Sequence, residues 1–537
     1  MKKSLLSLLI LFSFLQIHSQ QLSWIRLGAG DVNIASQGEL ELGYAIVTSD
    51  DAVYISGLAN GNQVSFEDTV FSDVVNRLFC FVAKYDLSGN LQWARQLDVL
   101  PTANALAWGR TDIALNSKEE LIVTGTTLFS KYSFLKKYDS EGRLLWEKQI
   151  LENIRISTPT ALTIDTQDAI ILGGSYIANT PTQVEDTVIS NTINGTRGAF
   201  IMKYDGNGNF QWLNSTIGRG YASYTDIKVD SKDNIVATGD WGVFGTDSMF
   251  IGDAYYQPKF DTSNVFPNPF LDFFLIKFNP DGQHIWTQAL GGFFEDRSSK
   301  LALNNLDEIH LVGSYVDSLS IGGISIKGYG GADIMVGKFT PEGEIIWLNG
   351  AGGFNGQIFE LIESGRSIAV DNDNNVLIVG SILGDGFFGQ GDEMITVASP
   401  FIALTQLGFI AKYDSRGKVC WATNVQSDYS NIEDITYRDA RVFISGNFFS
   451  RGTFLDTSIP GTISGQTNFF LAAIEDIPAC PPRFPEGDDV RVFPNPTSDF
   501  FTFYAPRSED AIEVSIFDVK GARIKSEVRQ SGLEGVS

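Results

Sequence analysis

The sequence predicts an all-β chain built on a seven-bladed β-propeller, and three observations carry that prediction. A phrase spaced K-x4-G-x3-W returns six times, at residues 84–93, 137–146, 203–212, 277–286, 338–347 and 412–421. A second phrase is an apolar strand, a polar turn and another apolar strand closed by glycine. It returns seven times, ending at Gly57, Gly125, Gly174, Gly239, Gly313, Gly380 and Gly446. The two phrases alternate, so each repeat is four short strands, and four-stranded antiparallel units repeated radially make a propeller.

Each element follows from local chemistry. Residues 1–19 read as a secretory signal, with Lys2 and Lys3 ahead of an apolar run and Ser19 at a small-residue cleavage site. That run is too short to span a membrane, and no other stretch has the length of a spanning helix. The propeller is expected over residues 20–475. In its glycine-closed hairpins, β-branched residues flank polar turns, as in Ile368-Ala-Val-Asp-Asn-Asp-Asn-Asn-Val-Leu-Ile-Val-Gly380. In its lysine–tryptophan hairpins, Asp86 bonds its own turn and Gly89 supplies the positive φ of the reversal. The tryptophans are expected to wedge between blades.

The count of strands predicts how the ring closes. The seventh third strand, residues 469–474, has Ala473 in place of lysine and no Gly-x3-Trp after it. The missing strand stands at the other end, where Leu22-Ser-Trp24-Ile-Arg precedes any third strand. The N-terminal strand is therefore expected to complete the last blade, which removes the free sheet edges.

Loop lengths point to one rim. The two hairpin turns of each repeat are short and share a rim. The connections on the opposite rim are long: the closing glycine and the next strand's lysine lie at 125 and 137 in the second blade, but at 239 and 277 in the fourth and 380 and 412 in the sixth. Several of these insertions echo one another, as in Val64-Ser-Phe-Glu-Asp-Thr-Val70 and Val184-Glu-Asp-Thr-Val188, and predict a small extra hairpin on each blade. Long loops gathered on a rigid scaffold are where binding resides. Trp108, Trp241, Tyr255 and Tyr256 fall in connections of that rim and are the candidate ligand-binding residues.

Composition narrows the function. The formal net charge is −25, which opposes binding to nucleic-acid phosphate. There is no CxxC or Cys/His metal spacing, phosphate loop, HExxH or G-x-S-x-G, so no metal, cofactor or nucleophilic catalytic residue is assigned. The acidic turn at Asp371 lacks the glycine and glutamate of a calcium loop and reads as a hairpin reversal. Asp165, Asp168, Asp230 and Asp233 read as solvated reversals. His284 and His310 read as structural. Of the three cysteines, Cys80 and Cys420 have strand-like settings and read as small buried hydrophobes. Residues 476–489 form a proline-rich linker, and residues 490–537 a separate short β segment.

Three resemblances follow from these residues. The K-[YF]-D-x-x-G-x-x-x-W and I-A-V-D…V-x-V-T-G hairpins are similar to the bacterial β-propeller repeat family, which implies the fold and little activity. The chain is also similar to quinoprotein-type propeller repeats at the tryptophan, but lysine stands where those carry a small residue. Residues 490–537 resemble the type IX secretion C-terminal sorting domain of Bacteroidota. The resemblance rests on Val492-Phe493-Pro494-Asn495-Pro496-Thr497 and Val514-Ser-Ile-Phe-Asp518-Val-Lys-Gly521-Ala-Arg-Ile524. It implies sorting roles for Pro494, Asn495, Pro496, Asp518 and Gly521, the type IX secretion machinery as partner, and a place in the medium or on the outer cell surface. Such domains continue through a further strand, so the segment ending at Ser537 reads as cut short or incomplete. The expected function is a monomeric binding or adhesion module taking a glycan or protein on the long-loop rim. The alternative is a polysaccharide lyase or hydrolase using carboxylates that converge in the central channel.

Overall fold

The computed structural model describes residues 21–30, 42–61, 64–66, 69–71, 77–99, 111–126, 133–152, 154, 156–178, 180–189, 197–218, 220–242, 249–251, 254–256, 271–292, 294–353, 363–391, 394–399, 405–455, 457–459, 467–475, 480, 491–494, 501–504, 512–517 and 523–529. The signal segment and Trp108 lie outside these residues. The chain divides into two units, one spanning Leu22–Ile474 and one made of Met1–Gln21 with Glu475–Ser537.

Seven antiparallel sheets form the blades of the larger unit, and two small sheets accompany them. The first blade runs Leu42–Thr48, Ala52–Gly61, Arg77–Asp86 and Leu91–Val99, from the innermost strand outward. The innermost strands of the next five blades are Thr111–Leu115, Ile156–Ile164, Tyr221–Val229, Arg297–Leu303 and Ser364–Val370. In the seventh, Gln426–Arg438, Arg441–Phe454 and Thr467–Glu475 are joined by the N-terminal strand Gln21–Gly30 as the outer strand. Each innermost strand touches the innermost strand of both neighbours, and the seventh touches the first. The ring is closed as the strand count predicts.

The repeated phrase is the device that joins blades. Trp24 of the seventh blade packs on Gly89 in the outer turn of the first, and its Nε1 donates to Leu87 O at 3.0 Å. Trp93 does the same on Gly142 with Ser140 O at 2.9 Å, Trp212 on Gly282 with Pro280 O at 3.2 Å, and Trp347 on Gly417 with Ser415 O at 3.2 Å. Two residues past each of these tryptophans a polar side chain reaches the carbonyl of that glycine. Arg95 donates to Gly142 O, Asn214 to Gly282 O and Asn349 to Gly417 O.

The lysine of the phrase is buried and joins two turns. Lys203 Nζ lies 2.8 Å from Asp165 in the inner turn of its own blade and donates to Pro280 O of the next blade at 3.2 Å. Lys277 pairs likewise with Asp230 and Pro341 O, and Lys412 with Asp371 at 2.9 Å. Asp165, Asp230 and Asp371 are buried rather than solvated. The inner turns also bond to one another: the backbone N–H and hydroxyl of Ser117 reach Asp168, those of Thr166 reach Asp233, and those of Ser231 reach Asp307. The short-turn rim is a hydrogen-bonded belt, which corrects the reading of Asp165 and Asp230 as solvated reversals, while Asp371 closes a hairpin turn as expected.

Inserted hairpins on the other rim reach back over the seam before their blade. Val64–Phe66 and Thr69–Phe71 pair with each other, and the first extends Gln21–Gly30 at Ala29 and Gly30. Gly386–Phe388 adds in the same way to the outer strand Ile345–Gly353 of the fifth blade. Thr182–Val184 and Thr187–Ile189 form a hairpin of their own, and Glu185 at its tip pairs with Lys148 of the second blade at 2.8 Å. These insertions are straps as well as loops.

The cysteine expectation is corrected in part. Cys80 is free and buried, but Cys420 and Cys480 are disulfide-bonded. His310 is fully buried, and burial first, then Lys338, pushes its pKa down to about 4. In the smaller unit, Arg491–Pro494 pairs with Phe501–Tyr504 and Ile512–Phe517 with Arg523–Arg529.

Candidate functional site

Six of the innermost strands carry a β-bulge one residue before a common position. The residues at that position are Ala45, Ala161, Asp226, Lys300, Ser367 and Asp434, and Asp112 is their counterpart in the second blade. A bulge re-aims the side chains that follow it. Here it brings residues of all seven blades into one ring around the axis. Three of the seven are aspartates.

Each aspartate reaches the backbone of the next blade. Asp112 accepts from Leu162 N at 2.9 Å, Asp226 from Leu301 N at 2.9 Å and Asp434 from Ile46 N at 2.8 Å. Asp434 also accepts from the hydroxyl of Ser367 in the sixth blade, at 2.5 Å. Two lysines answer the charge. Lys228 Nζ sits 3.0 Å from both oxygens of Asp226. Lys300 Nζ lies 3.6 Å from Asp226 and 3.9 Å from Asp112.

The electrostatics differ among the three. Burial opposes ionisation of Asp226, but Lys228, Lys300 and the Leu301 N–H together hold its pKa below the ordinary value. Burial raises Asp112, with Lys300 offsetting it in part and Asp226 adding to it. Burial raises Asp434 too, against Lys300, Ser367 and Ile46 N. Lys300 influences aspartates of the second, fourth and seventh blades, which places its ammonium near the axis.

Sequence reasoning anticipated converging carboxylates but not which ones. A signal was present: each aspartate opens a short D-I-x-x run, at Asp112-Ile113, Asp226-Ile227 and Asp434-Ile435, on the innermost strand. The rim candidates fare differently. Trp241 is 1 % exposed and packs on Phe274 with centroids 5.3 Å apart, inside the core between blades. It is part of the strand Ile235–Gly242 rather than the start of a loop. Tyr255 and Tyr256 lie on the strand Ala254–Tyr256, whose partner Met249–Ile251 pairs with Ile217–Gly218. Pro494 closes its strand, while Asn495, Pro496, Asp518 and Gly521 lie outside the described residues.

A groove of about 500 Å³ at the seam of the first two blades is lined by Lys84, Trp93, Arg95 and Ser140. Those side chains already serve the tryptophan latch. Among the described residues no group of three or more His, Cys, Asp or Glu is arranged to hold a metal ion, and no helix is long and apolar enough to cross a membrane.

The fold is a seven-bladed propeller with charged clamps along its axis. Residues 491–534 match the secretion system C-terminal sorting domain family. The chain thus carries a type IX sorting domain, and it is an exported protein, secreted or displayed on the cell surface. An uncharacterized WD repeat-containing protein of Acanthamoeba polyphaga mimivirus is 25% identical over 339 residues, which is 54% of this chain and 24% of that protein. The chain therefore spans about a quarter of that relative. Among solved structures, a puromycin hydrolase superposes with a TM-score of 0.41 and 10% identity over 89% of this chain and 61% of its own. The polysaccharide lyase Uly1 gives 0.37 and 10% over 83% and 91%. The quinohemoprotein alcohol dehydrogenase of Comamonas testosteroni gives 0.38 and 10% over 88% and 78%. At these values no activity transfers to this chain.

Proposed function

We propose that this exported propeller is a binding or adhesion module that meets a glycan or protein ligand on its long-loop rim. The observation that supports this most is the use already made of the channel acids. Asp112, Asp226 and Asp434 each hold a backbone N–H of the next blade, and Asp226 is held by two lysines. A general acid or base needs an oxygen free to meet substrate. The rim, by contrast, carries hairpins of differing length on a rigid ring. Trp108 and the Tyr255–Tyr256 pair remain the side chains proposed to meet the ligand, as aromatic surfaces suit sugar rings and protein hot spots.

The test uses the full chain, fluorescently labelled, on glycan and cell-surface protein arrays, with reducing-end and unsaturated-uronate assays run in parallel. Binding that weakens in the Tyr255→Ala/Tyr256→Ala variant, without product release, is the expected result. Release of oligosaccharide that Asp226→Asn abolishes would overturn the binding reading in favour of a channel enzyme.

A further inference from the structure

The buried acids of the short-turn rim come with a cation: Asp165, Asp230 and Asp371 each face a lysine. One pair elsewhere departs from that rule. Asp333 opens the buried half of the third strand in the fifth blade, opposite Tyr315. Glu363 stands immediately before the innermost strand of the sixth, Ser364–Val370. They are 0 and 1 % exposed. Among the described residues neither pairs with a lysine or arginine.

Both carboxyls converge on the end of the strand Ile345–Gly353. A Cβ on Gly352 would fall 1.9 Å from Asp333 Oδ1 and 2.9 Å from Glu363 Oε2, so only glycine leaves the two acids room. A Cβ on Gly353 would meet Glu363 Oε1 at 2.7 Å, Leu383 O at 2.4 Å and Asp385 O at 3.0 Å. Five oxygens thus crowd one strand end. Three of the five have assigned or neutral roles: Glu363 Oε2 accepts from Gly353 N at 2.7 Å and the two carbonyls carry no charge to balance, while Asp333 Oδ2, outside the five, accepts from Tyr329 N at 2.8 Å. Asp333 Oδ1 and Glu363 Oε1 are buried with no hydrogen bond of good geometry among the described residues, although the Leu383 N–H lies close enough to Glu363 to favour its charged form. An unpaired buried carboxylate oxygen is expensive, so two on acids that meet at one strand end indicate an absent counter-charge.

We propose that Asp333 and Glu363 form a divalent-cation site of calcium type at the junction of the fifth and sixth blades. The donor set decides the class. It offers carboxylate and carbonyl oxygen with no nitrogen or sulfur, which suits a hard cation. Two carboxylates match a charge of +2. Carbonyls of Leu383 and Asp385 lie beside Glu363 Oε1 to share an irregular oxygen shell with water, which calcium tolerates better than magnesium. Burial raises the pKa of Asp333 to about 7, and burial with the neighbouring Asp333 raises Glu363 to about 8, as expected of acids whose counter-ion is missing. The ion would tie Glu363, at the entry to one blade, to the body of the previous one. That is the task lysine performs on the opposite rim.

The test follows the thermal midpoint of the full chain, dialysed against chelator, as calcium or magnesium is added at pH 6 and pH 8.5. Terbium luminescence, displaced by calcium, gives a second readout. Calcium should raise the midpoint more than magnesium does, and more at pH 8.5 than at pH 6, where protons compete. Asp333→Asn and Glu363→Gln keep the shape and remove the charge. They should raise the midpoint in chelator and lose the calcium response. No calcium effect on wild type at either pH overturns the proposal and leaves protons as the counter-charge. So does a wild-type response retained in full by both variants, which would place the ion elsewhere. If neither variant folds, the pH dependence of the wild-type calcium shift decides alone.

Discussion

Gly89 shows how much a single residue of the repeat carries. Its φ is +81°, and a Cβ there would lie 2.6 Å from the ring of Trp24. Two separate requirements meet: the turn needs a left-handed residue, and the previous blade's tryptophan needs an open face. Gly323, in the tip of the hairpin inserted in the fifth blade, separates them. Its φ is +87°, but a Cβ there would meet nothing within 4 Å. Gly323→Ala should therefore cost about 1 kcal/mol, the backbone term alone. Gly89→Ala adds the displacement of a packed indole and should cost roughly 2–4 kcal/mol. Denaturant melts of both variants check this; equal costs would mean that the indole moves aside freely. The sequence displays the Gly-to-Trp spacing plainly, but hides that each glycine serves the tryptophan of the preceding repeat. Spacing records what is near in the chain, and this contact joins residues 63 apart in their hydrogen bond from Trp24 to Leu87.

At the scale of elements, the inserted hairpins are the least legible part of the fold. Their existence follows from the echoes around Asp-Thr-Val, and the structure pairs Val64–Phe66 with Thr69–Phe71. Their docking does not follow, because a three-residue strand has no periodicity from which to read a partner. The first hairpin lies where the ring closes. Phe66 is fully buried, with its ring centroid 4.7 Å from Phe81 of the first blade and 5.6 Å from Phe469 of the seventh. Phe66→Ala should cost about 3–5 kcal/mol, a core value for a residue that the sequence places in a loop. It should also speed unfolding more than it slows folding, since closing the ring joins the two ends of the propeller and is the contact of greatest sequence separation. Chevron kinetics measure both arms. A cost under about 1 kcal/mol would show that the hairpin covers the seam without holding it.

For the whole molecule, seven blades and a shared closing strand were legible because they rest on counting copies of a pattern. The axial ring was not, because Asp112, Asp226 and Asp434 stand among Ala45, Ala161, Lys300 and Ser367 at one structural position that the repeat does not keep constant. Trp241 shows the same limit from the other side: an aromatic at the head of a long insertion reads as rim, but one more strand residue places it in the core. Charge placement makes a last prediction. Buried acids fall into two groups with opposite linkage. Asp230, Asp371 and the half-buried Glu308 are held below their usual pKa by lysines and by asparagine amides of their turns, joined at the two aspartates by turn N–H groups, and together these outweigh burial. Their contribution is present above the unfolded carboxylate values and is lost as pH falls through the depressed ones. Asp296 and Glu363 are raised to about 8, Asp240 and Asp333 to about 7, in each case chiefly by burial. For these the folded state binds the proton more tightly than the unfolded chain. Their contribution is full below the unfolded values, 3.8 for Asp and 4.5 for Glu, and is lost as pH rises through 7 to 8. The chelated protein should therefore be most stable at about pH 4, at the unfolded carboxylate values, and should lose stability on both sides. Denaturant midpoints from pH 3 to 9 trace this curve. A profile still rising between pH 6 and 8 would mean that the raised acids ionise without cost, and that the blade junctions open to water where they now exclude it.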